Sequence, residues 1–463
     1  MRAKPVIAVI DVGKTNKKLF LFDQHYKIVY ELSAHLIETV DEDGDACENI
    51  ESLRSFVLDS LRFVFGKKEF DVKAINFSTY GASFVYIDDV GNPLTPLYNY
   101  LKPYPELLKK KFYETYGGEE KFSSQTASPV LGSLNSGMQL YRIKYEKPEL
   151  FKQIKTALHL PQFLSFLISG KVCSDITSIG CHTNLWHFQK NDYHEWVQKE
   201  GIKPLLAPIV SCKEVSPSVL HDLKCLAGIG LHDSSASLIP YLMNFQEPFI
   251  LISTGTWCIS LNPFNNSPLT VYELEHDCLC YMQYHSTPVK ASRLFAGHEH
   301  EEQVKRIAAH FNKDPVKYRS IEFSPETWSK LRSNDDFNLK KDSKKIIRES
   351  IFDTRELQDF LNDMEAYHQL IIDIISRQYV STQLVLRDSN LKRIFIDGGF
   401  STNAVYMNLF AAAFPDKEVF AASMPQATAL GAALAIHNAW NKKSLPNDII
   451  KLQYYSAPLA VKL

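Results

Sequence analysis

Two apolar strands joined across a glycine turn occur twice in this chain, once at the opening of each half. Val6 to Ile10 is an unbroken apolar run, the turn Asp11-Val12-Gly13-Lys14-Thr15-Asn16 follows, and Lys18-Leu19-Phe20-Leu21-Phe22-Asp23 reads as a returning strand. Phe249 to Ile252, the turn Ser253-Thr254-Gly255-Thr256 and Trp257 to Leu261 repeat the arrangement. A short apolar run bounded by turn residues is the pattern of a buried strand, and strand–turn–strand is a hairpin. At 463 residues the chain is too long for a single core. The expected design is therefore α/β with two domains, divided near residues 240–248 into 1–244 and 245–463.

The remaining elements fit that plan. Asn49 to Phe65 carries Leu53, Phe56, Val57, Leu61 and Val64 at helical spacing. Val72 to Phe77 reads as a strand ending in Ser78-Thr79-Tyr80-Gly81, and Leu134 to Tyr145 and Pro161 to Ile168 read as helices. Leu357 to Leu386 is a long helical stretch with Phe360, Leu361, Met364, Tyr367 and Ile371 on one face. Arg393 to Ile396 is a strand leading into Asp397-Gly398-Gly399, followed by helices over Asn403 to Phe414 and Pro425 to Trp440, with Pro425 in the first turn. Gly431 in mid-helix costs about 1 kcal/mol against Ala, which predicts a close helix packing or a ligand approach there. The charged stretch Asn334 to Lys345 reads as a surface loop or helix edge.

Composition narrows the classes of function. The chain is 45% apolar and 22% charged with a formal net charge of −2 and no long basic run, which argues against nucleic-acid binding. No stretch of about 18 apolar residues could span a membrane, and the apolar run after Met1 is too short for a signal peptide. Eight scattered cysteines without a Cys-x-x-Cys pair read as reduced thiols of a cytoplasmic protein.

The chemistry centres on Ala227-Gly228-Ile229-Gly230-Leu231-His232-Asp233-Ser234-Ser235-Ala236-Ser237, which puts one acidic side chain in a glycine-flanked, hydroxyl-rich turn. Phosphoryl transfer to a hydroxyl needs an acid to accept the proton and backbone N–H groups for the phosphate oxygens. Gly13-Lys14-Thr15 is not a P-loop, because the position five residues before Gly13 is Ala8 and a strand, not a helix, follows. No Gly-x-Gly-x-x-Gly follows a strand, so a Rossmann site is excluded. Each hairpin turn alone is ordinary; two of them, one opening each half, can present N–H groups to a polyphosphate from both sides. A third turn, Asp397-Gly398-Gly399-Phe400-Ser401-Thr402-Asn403, lacks side chains at its glycines, so a flat base could lie on it. Asp11 and Asp233 would then hold Mg²⁺ near the phosphates, largely through water.

These segments together resemble the FGGY family of sugar kinases, within the actin/hexokinase-like (ribonuclease H-like) superfamily. The family's first phosphate motif is similar to Asp11 to Lys18, with Lys18 where Arg is usual and Lys14 bulkier than usual; its second is similar to Ser253-Thr254-Gly255-Thr256-Trp257. The adenosine motif is similar to Asp397 to Asn403, and the helix Gln426 to Ala433 is also typical. Gly-x-x-His-Asp-Ser and Gly-Thr-Trp look most like the rhamnulokinase-like members.

The resemblance implies two domains with a cleft between them and ATP bound through Gly13, Lys14, Thr15, Asn16, Lys17, Lys18, Gly255, Thr256, Gly398, Gly399 and Asn403. It also implies a sugar held by Tyr80, Gly81, His232, Asp233 and Ser234, with Asp233 as catalytic base, in a monomer or homodimer. L-Rhamnulose is the expected acceptor, with L-fuculose and pentuloses such as xylulose or ribulose as alternatives. The segment Ala291 to Gln303 departs from the family's second signature, which leaves the sugar open. Phe84, Tyr98 and Tyr100 could meet a sugar methyl, although aromatics in such a domain mostly pack a core.

Other patterns carry less. His298 and His300 stand at i and i+2 and do not share a helix face, so Gly297 to Glu302 reads as a solvated helix start. Cys278-x-Cys280 has no second pair at zinc spacing. Asp41-Glu42-Asp43-Gly44-Asp45 resembles a calcium loop but has Ser52 at the twelfth position, and reads as an exposed acidic turn. A non-catalytic ATP- and sugar-binding sensor of the same superfamily remains the alternative of another class, and Asp233 discriminates, since a sensor has no need of that acid.

Overall fold

The computed structural model describes residues 3–331, 349–386, 391–424 and 426–457; the expectations for Asn334 to Lys345 and for Pro425 lie outside them. The chain divides into two compact units. The first comprises Met1–Phe245, Cys280–Pro288 and Pro425–Ile449, and the second Gln246–Leu279, Val289–Met424 and Ile450–Leu463. The first cut lies beside the expected boundary, but two segments of the second half of the sequence return to the first unit. No helix among the described residues is long and apolar enough to cross a membrane.

In the first unit, Lys4–Val12 pairs antiparallel with Lys17–Asp23 and parallel with Phe70–Thr79. The sheet runs in the order Val215–Pro217, Leu226–Gly228, Phe70–Thr79, Lys4–Val12, Lys17–Asp23, Ile28–Ala34, with Leu231–His232 also alongside Phe70–Thr79. Val6 to Ile10 are fully buried because both sheet faces are covered. The helix Ile50–Phe65 starts where the Asn49 carboxamide accepts from the Glu51 and Ser52 N–H groups, each at 3.0 Å. Its Leu53, Val57, Leu61 and Val64 then face the core that Val6, Ile10 and Phe77 also enter. Phe84 and Tyr98 belong to a second core built around Phe112, Tyr141 and Trp196.

The acidic turn at Asp41 to Asp45 is exposed at Glu42, Asp43 and Gly44, as expected, and is anchored at the buried Asp41. It folds around the buried Lys102, whose ammonium bonds Asp41 and lies 2.7 Å from Asp43 and 3.2 Å from Asp45. A tethered cation stands among the carboxylates and holds Asp41 in the interior, while Glu42 to Gly44 face solvent.

In the second unit the hairpin Phe249–Thr254 with Cys258–Asn262 is again antiparallel, and Phe249–Thr254 again pairs parallel with a later strand, Arg393–Gly398. The order from the hairpin outward is Pro288–Leu294, Cys258–Asn262, Phe249–Thr254, Arg393–Gly398, Glu418–Ser423, Lys451–Tyr455. The long helix spans Asp363–Leu386, shorter than the expected Leu357 to Leu386. The Asn362 side chain accepts from the Glu365 N–H at 2.9 Å and caps the helix there, so Leu361 precedes it and is 81% exposed, not on the buried face.

Gly431 has a structural reason within the first unit. Its helix, Ala427–Ala435, packs on the helix Asp233–Asn244 so closely that a Cβ at Gly431 would lie 1.8 Å from the Ala236 carbonyl oxygen. Pro240 lies inside Asp233–Asn244 and has no N–H, so Ala236, four residues before it, lacks its intrahelical donor. The bare Gly431 backbone fills that space, as a Cα–H···O contact would require. Asn76 secures the same junction, donating to the Ala432 carbonyl at 2.7 Å and accepting from the Gly230 N–H at 3.1 Å. Gly431→Ala is expected to destabilise the protein by about 1–3 kcal/mol in urea unfolding, the usual cost of overpacking a rigid contact; an unchanged midpoint would refute the account.

Candidate active site

The hairpin turn after Lys4–Val12 is closed by Gly13 N–H donating to Asn16 O at 3.0 Å. Thr15 and Asn16 are exposed, and Gly13 and Lys14 half-exposed. The three lysines of the motif are used differently. Lys14 and Lys18 lie at the surface with Glu38 at 2.6 Å and Glu31 at 3.2 Å. Lys17 is 2% exposed, and its ammonium donates to the Gly13 and Lys14 carbonyls at 3.2 and 3.0 Å and to Glu48 Oε1 at 3.0 Å. Lys17 therefore stiffens the turn from within. Glu48 was not singled out by the sequence; a lone acid in a mixed segment carries no local signal.

Glu48 reaches the expected sugar residues too. The Tyr80 hydroxyl donates to the same Oε1 at 3.0 Å, and Tyr80 is buried, with its ring 5.5 Å from that of the half-buried Tyr100. Of the three other aromatics considered for a sugar methyl, Tyr100 alone stands in this group. Its phenol is held above the usual range by burial and by the charges of Asp233 and Glu48. Gly81 is required by its neighbour, since a Cβ there would lie 2.3 Å from His232 Cδ2.

His232 ends the short strand Leu231–His232, and Asp233 begins the helix Asp233–Asn244. An anion at a helix N-terminus is favoured by the unpaired N–H groups there. Asp233 Oδ1 takes the Ser234 N–H at 2.6 Å and the Ser234 hydroxyl at 3.3 Å, and it lies 3.3 Å from His232 Nε2. Among the described residues Oδ2 has no hydrogen-bond partner, and the side chain is 33% exposed. Burial pushes the His232 imidazole below its usual range, partly offset by Asp233, so at neutral pH the ring is uncharged and Nε2–H is the donor to Asp233. His232 also stacks on Tyr281 at 5.6 Å.

Asp11 accepts from the Thr428 hydroxyl at 3.0 Å, a residue of the helix that Gly431 docks. Its carboxyl is raised to about 6, chiefly by burial and further by the charge of Asp233, with Thr428 and Lys18 acting the other way. The charge of Asp233 thus bears on Asp11, and two carboxylates so disposed are the donor set a hard divalent cation takes.

In the second unit the turn at Gly255 is closed by its N–H donating to Trp257 O at 2.9 Å. The helix Ala296–His310 begins against this turn, with His298 N–H donating to Thr256 O at 3.1 Å, and a Cβ at Gly297 would lie 1.8 Å from Gly255 O. Gly398 has φ +90°, the left-handed region, and a Cβ would lie 2.0 Å from Thr254 O. The Thr254 hydroxyl donates to Asp397 O at 2.6 Å and accepts from Phe400 N–H at 3.0 Å, which joins the second and third expected turns.

These turns wall a cavity of about 600 Å³ that Gly255, Thr256, Gly399 and Asn403 line. That volume lies in the range of pockets for drug- and cofactor-sized molecules. Gly398 supports the wall without lining it. Tyr318 and Arg319, which the sequence did not single out, also line the cavity, as does His300. The segment Ala291 to Gln303, divergent in sequence, thus contributes Gly297, His300 and Glu301 to the wall, and His300 is not part of a wholly solvated helix start.

Comparison with known proteins shows the family and the fold. Residues 6–237 match the N-terminal domain of the FGGY family of carbohydrate kinases, residues 246–322 match a carbohydrate kinase FGGY C-terminal domain, and residues 362–440 match the C-terminal domain of the same family. The chain belongs to the FGGY family of carbohydrate kinases. A rhamnulokinase of Halalkalibacterium halodurans is 21% identical over 274 residues, a match that spans 57% of this chain and 57% of that protein. A rhamnulokinase of Mannheimia succiniciproducens is 22% identical over 37% of this chain and 36% of its own length. A crystal structure of a carbohydrate kinase from Novosphingobium aromaticivorans superposes with TM-score 0.77 at 20% identity over 97% of this chain and 96% of that one. A ligand-bound xylulose kinase from Lactobacillus acidophilus gives 0.79 at 16% identity over 98% and 94%. The fold is therefore the α/β, two-domain fold of that family, actin/hexokinase-like.

The buried Lys17–Glu48 pair gives a direct test of Lys17's place. Lys17→Met leaves Glu48 buried without its cation, so it is expected to cost about 3–5 kcal/mol in urea unfolding, whereas Lys18→Met at the surface costs less than about 1 kcal/mol. Equal effects of the two substitutions would place Lys17 at the surface with Lys18.

Proposed function

We propose that the protein transfers the γ-phosphoryl group of ATP to a hydroxyl of a ketose, and that this ketose is a 6-deoxy-L-ketohexose such as L-rhamnulose. The observation that carries the reading is the division of labour within Asp233. Oδ1 is tied to Ser234 and faces His232, while Oδ2 has no hydrogen-bond partner among the described residues. A base fixed by one oxygen and free at the other is oriented for a single acceptor hydroxyl.

In this reading Gly81, His232, Asp233 and Ser234 hold the sugar beside Tyr80 and Tyr100. Gly255, Thr256, Gly399 and Asn403 hold the nucleotide in the second unit, and in the first unit the turn Gly13 to Asn16 with Lys14 and Lys18 offers N–H groups and positive charge to phosphate oxygens. Asp233 Oδ2 takes the hydroxyl proton as the sugar oxygen bonds to the γ-phosphorus, and the bond from that phosphorus to the β–γ bridging oxygen breaks, releasing ADP. Most of the rate comes from placement and charge stabilisation. Asp11 and Asp233 would hold Mg²⁺, which when bound supplies charge neutralisation at the phosphate oxygens.

The choice of L-rhamnulose rests on His232-Asp233-Ser234 and Gly255-Thr256-Trp257 and on the partial likeness to rhamnulokinases. L-Fuculose, xylulose and ribulose belong in the same assay. A coupled assay of ADP release with these four ketoses is expected to give the highest kcat/KM with L-rhamnulose. Release unstimulated by every sugar would favour a non-catalytic sensor. Asp233→Ala is expected to lower kcat by at least about 10³-fold with nucleotide affinity kept; near-normal turnover would remove Asp233 as the base.

The raised Asp11 carboxyl sets a pH dependence. Its proton is held up to about pH 6, and Mg²⁺ must displace it. Below that pH the Mg²⁺ concentration for half-maximal activity is expected to rise about tenfold per pH unit, and above it to level off. Asp11→Asn should raise that concentration at pH 8 and flatten its pH profile; an unaltered profile in the variant would exclude Asp11 as the titrating ligand.

A further inference from the structure

The cavity of the second unit holds a short polar relay that runs from Asn403 of the third turn to two residues, Tyr367 and His300, to which the family motifs and the proposed transfer chemistry give no role. It begins at a backbone donor. Asn403 caps the helix Ala404–Ala413, its Oδ1 accepting the Tyr406 N–H at 2.9 Å. That bond decides which way round the carboxamide lies. Its Nδ2 then donates to the Tyr367 hydroxyl at 2.6 Å. An NH₂ group cannot accept, so Tyr367 Oη is the acceptor in that contact and keeps its own proton to give elsewhere. The next partner is His300 Nε2, 3.1 Å away. Tyr367 is fully buried, and burial raises its phenol to about 12, so that proton is present at neutral pH.

His300 is thereby set in one tautomer. Burial lowers its imidazole to about 4, so at neutral pH the ring carries a single proton. With the Tyr367 proton given to Nε2, the ring proton lies on Nδ1. The ring lines the cavity, edge-on to Phe400 at 5.2 Å, on the part of the wall that Val304 and Tyr318 also form. That apolar part suits a nucleoside, while the Gly255-Thr256 turn suits phosphate.

We propose that Asn403 and Tyr367 are positioning residues that hold His300 as a neutral Nδ1–H donor to the nucleoside of the bound nucleotide. The donor accounts for a histidine at a wall that a purely apolar residue could otherwise form. The proposal rests on the nucleotide reading of this cavity.

The test uses the full-length protein, ADP as probe and no sugar. In histidine-labelled protein at pH 7, the resonance lost in His300→Phe identifies this residue among the 15 histidines, and its shifts are expected to report the Nδ1–H form. Tyr367→Phe removes one oxygen and keeps the ring that packs on Tyr318 at 5.2 Å. Asn403→Asp keeps the cap oxygen but replaces the NH₂ donor by an acceptor, which draws the Tyr367 proton away from His300. Both substitutions are expected to shift His300 toward the Nε2–H form. Each, like His300→Phe, should weaken ADP binding about tenfold in calorimetry, the loss of one buried hydrogen bond. The KM for ATP should rise more than kcat falls.

An Nε2–H form in the wild type would overturn the relay. ADP affinity within twofold of wild type in both Tyr367→Phe and His300→Phe would overturn the donor role. A wild type that keeps the Nδ1–H form yet binds no ADP would also remove the donor role, through failure of the nucleotide reading and not of the relay.

Discussion

The contact of Gly431 with the Ala236 carbonyl governs the geometry of the first unit's site. A proline within Asp233–Asn244 leaves one carbonyl without its helical donor, and a glycine 195 positions later in the chain closes on it. Because that glycine belongs to Ala427–Ala435, the same contact delivers Thr428 to Asp11. Asn76 bonds both the docking helix and the loop that leads to Asp233. One close approach of two backbones thus places two acidic side chains with respect to each other, and neither could be moved without opening the helix pair.

Charge is distributed around those acids by depth. Lys17 lies inside and is matched by Glu48, while Lys14 and Lys18 lie at the surface, where their pairings with Glu38 and Glu31 are weak enough to exchange for a ligand. Glu48 Oε1 serves Lys17 and Tyr80 together, so the phosphate-type turn and the aromatic floor share one buried anion. The neutral state of His232 belongs to the same pattern. A charged ring there would need desolvation that its position beside Asp233 only partly offsets. The first unit therefore concentrates negative charge at Asp11 and Asp233, and burial keeps one of the two partly protonated near pH 6.

The second unit uses the same strand–turn–strand device for a different surface. At Gly13 the turn is braced from below by a lysine; at Gly255 it is approached by the start of a helix that only Gly297 allows. The third turn joins it through the Thr254 hydroxyl, which bridges Asp397 and Phe400. The result is a roomy cavity with backbone at one side and aromatic rings at the other. Small residues permit the approach, and Tyr367, buried beneath them, decides which way the polar groups of the wall point.

The sequence by itself determined the two hairpins, their turns, the helix from Asn49 to Phe65 and the identity of Asp233, because periodicity, turn chemistry and local motif are carried by neighbouring residues. It also marked Gly431 as an oddity whose cost needed a reason. The tertiary structure decided what those residues touch. Lys17 and Lys18 are adjacent and chemically alike, yet one is buried on Glu48 and the other is at the surface, a difference of strand face and long-range partner. Asp41 to Asp45 reads as a solvated turn, and Glu42 to Gly44 are exposed, but its anchoring at Asp41 by Lys102, far along the chain, comes from the fold. His300 reads as a surface histidine until Tyr367 and Phe400 close around it. Gly431 announces a close packing of Ala427–Ala435 but not its partner, because contacts between residues hundreds of positions apart are selected by shape and burial, and the return of this helix to the first unit has no local trace in composition or spacing.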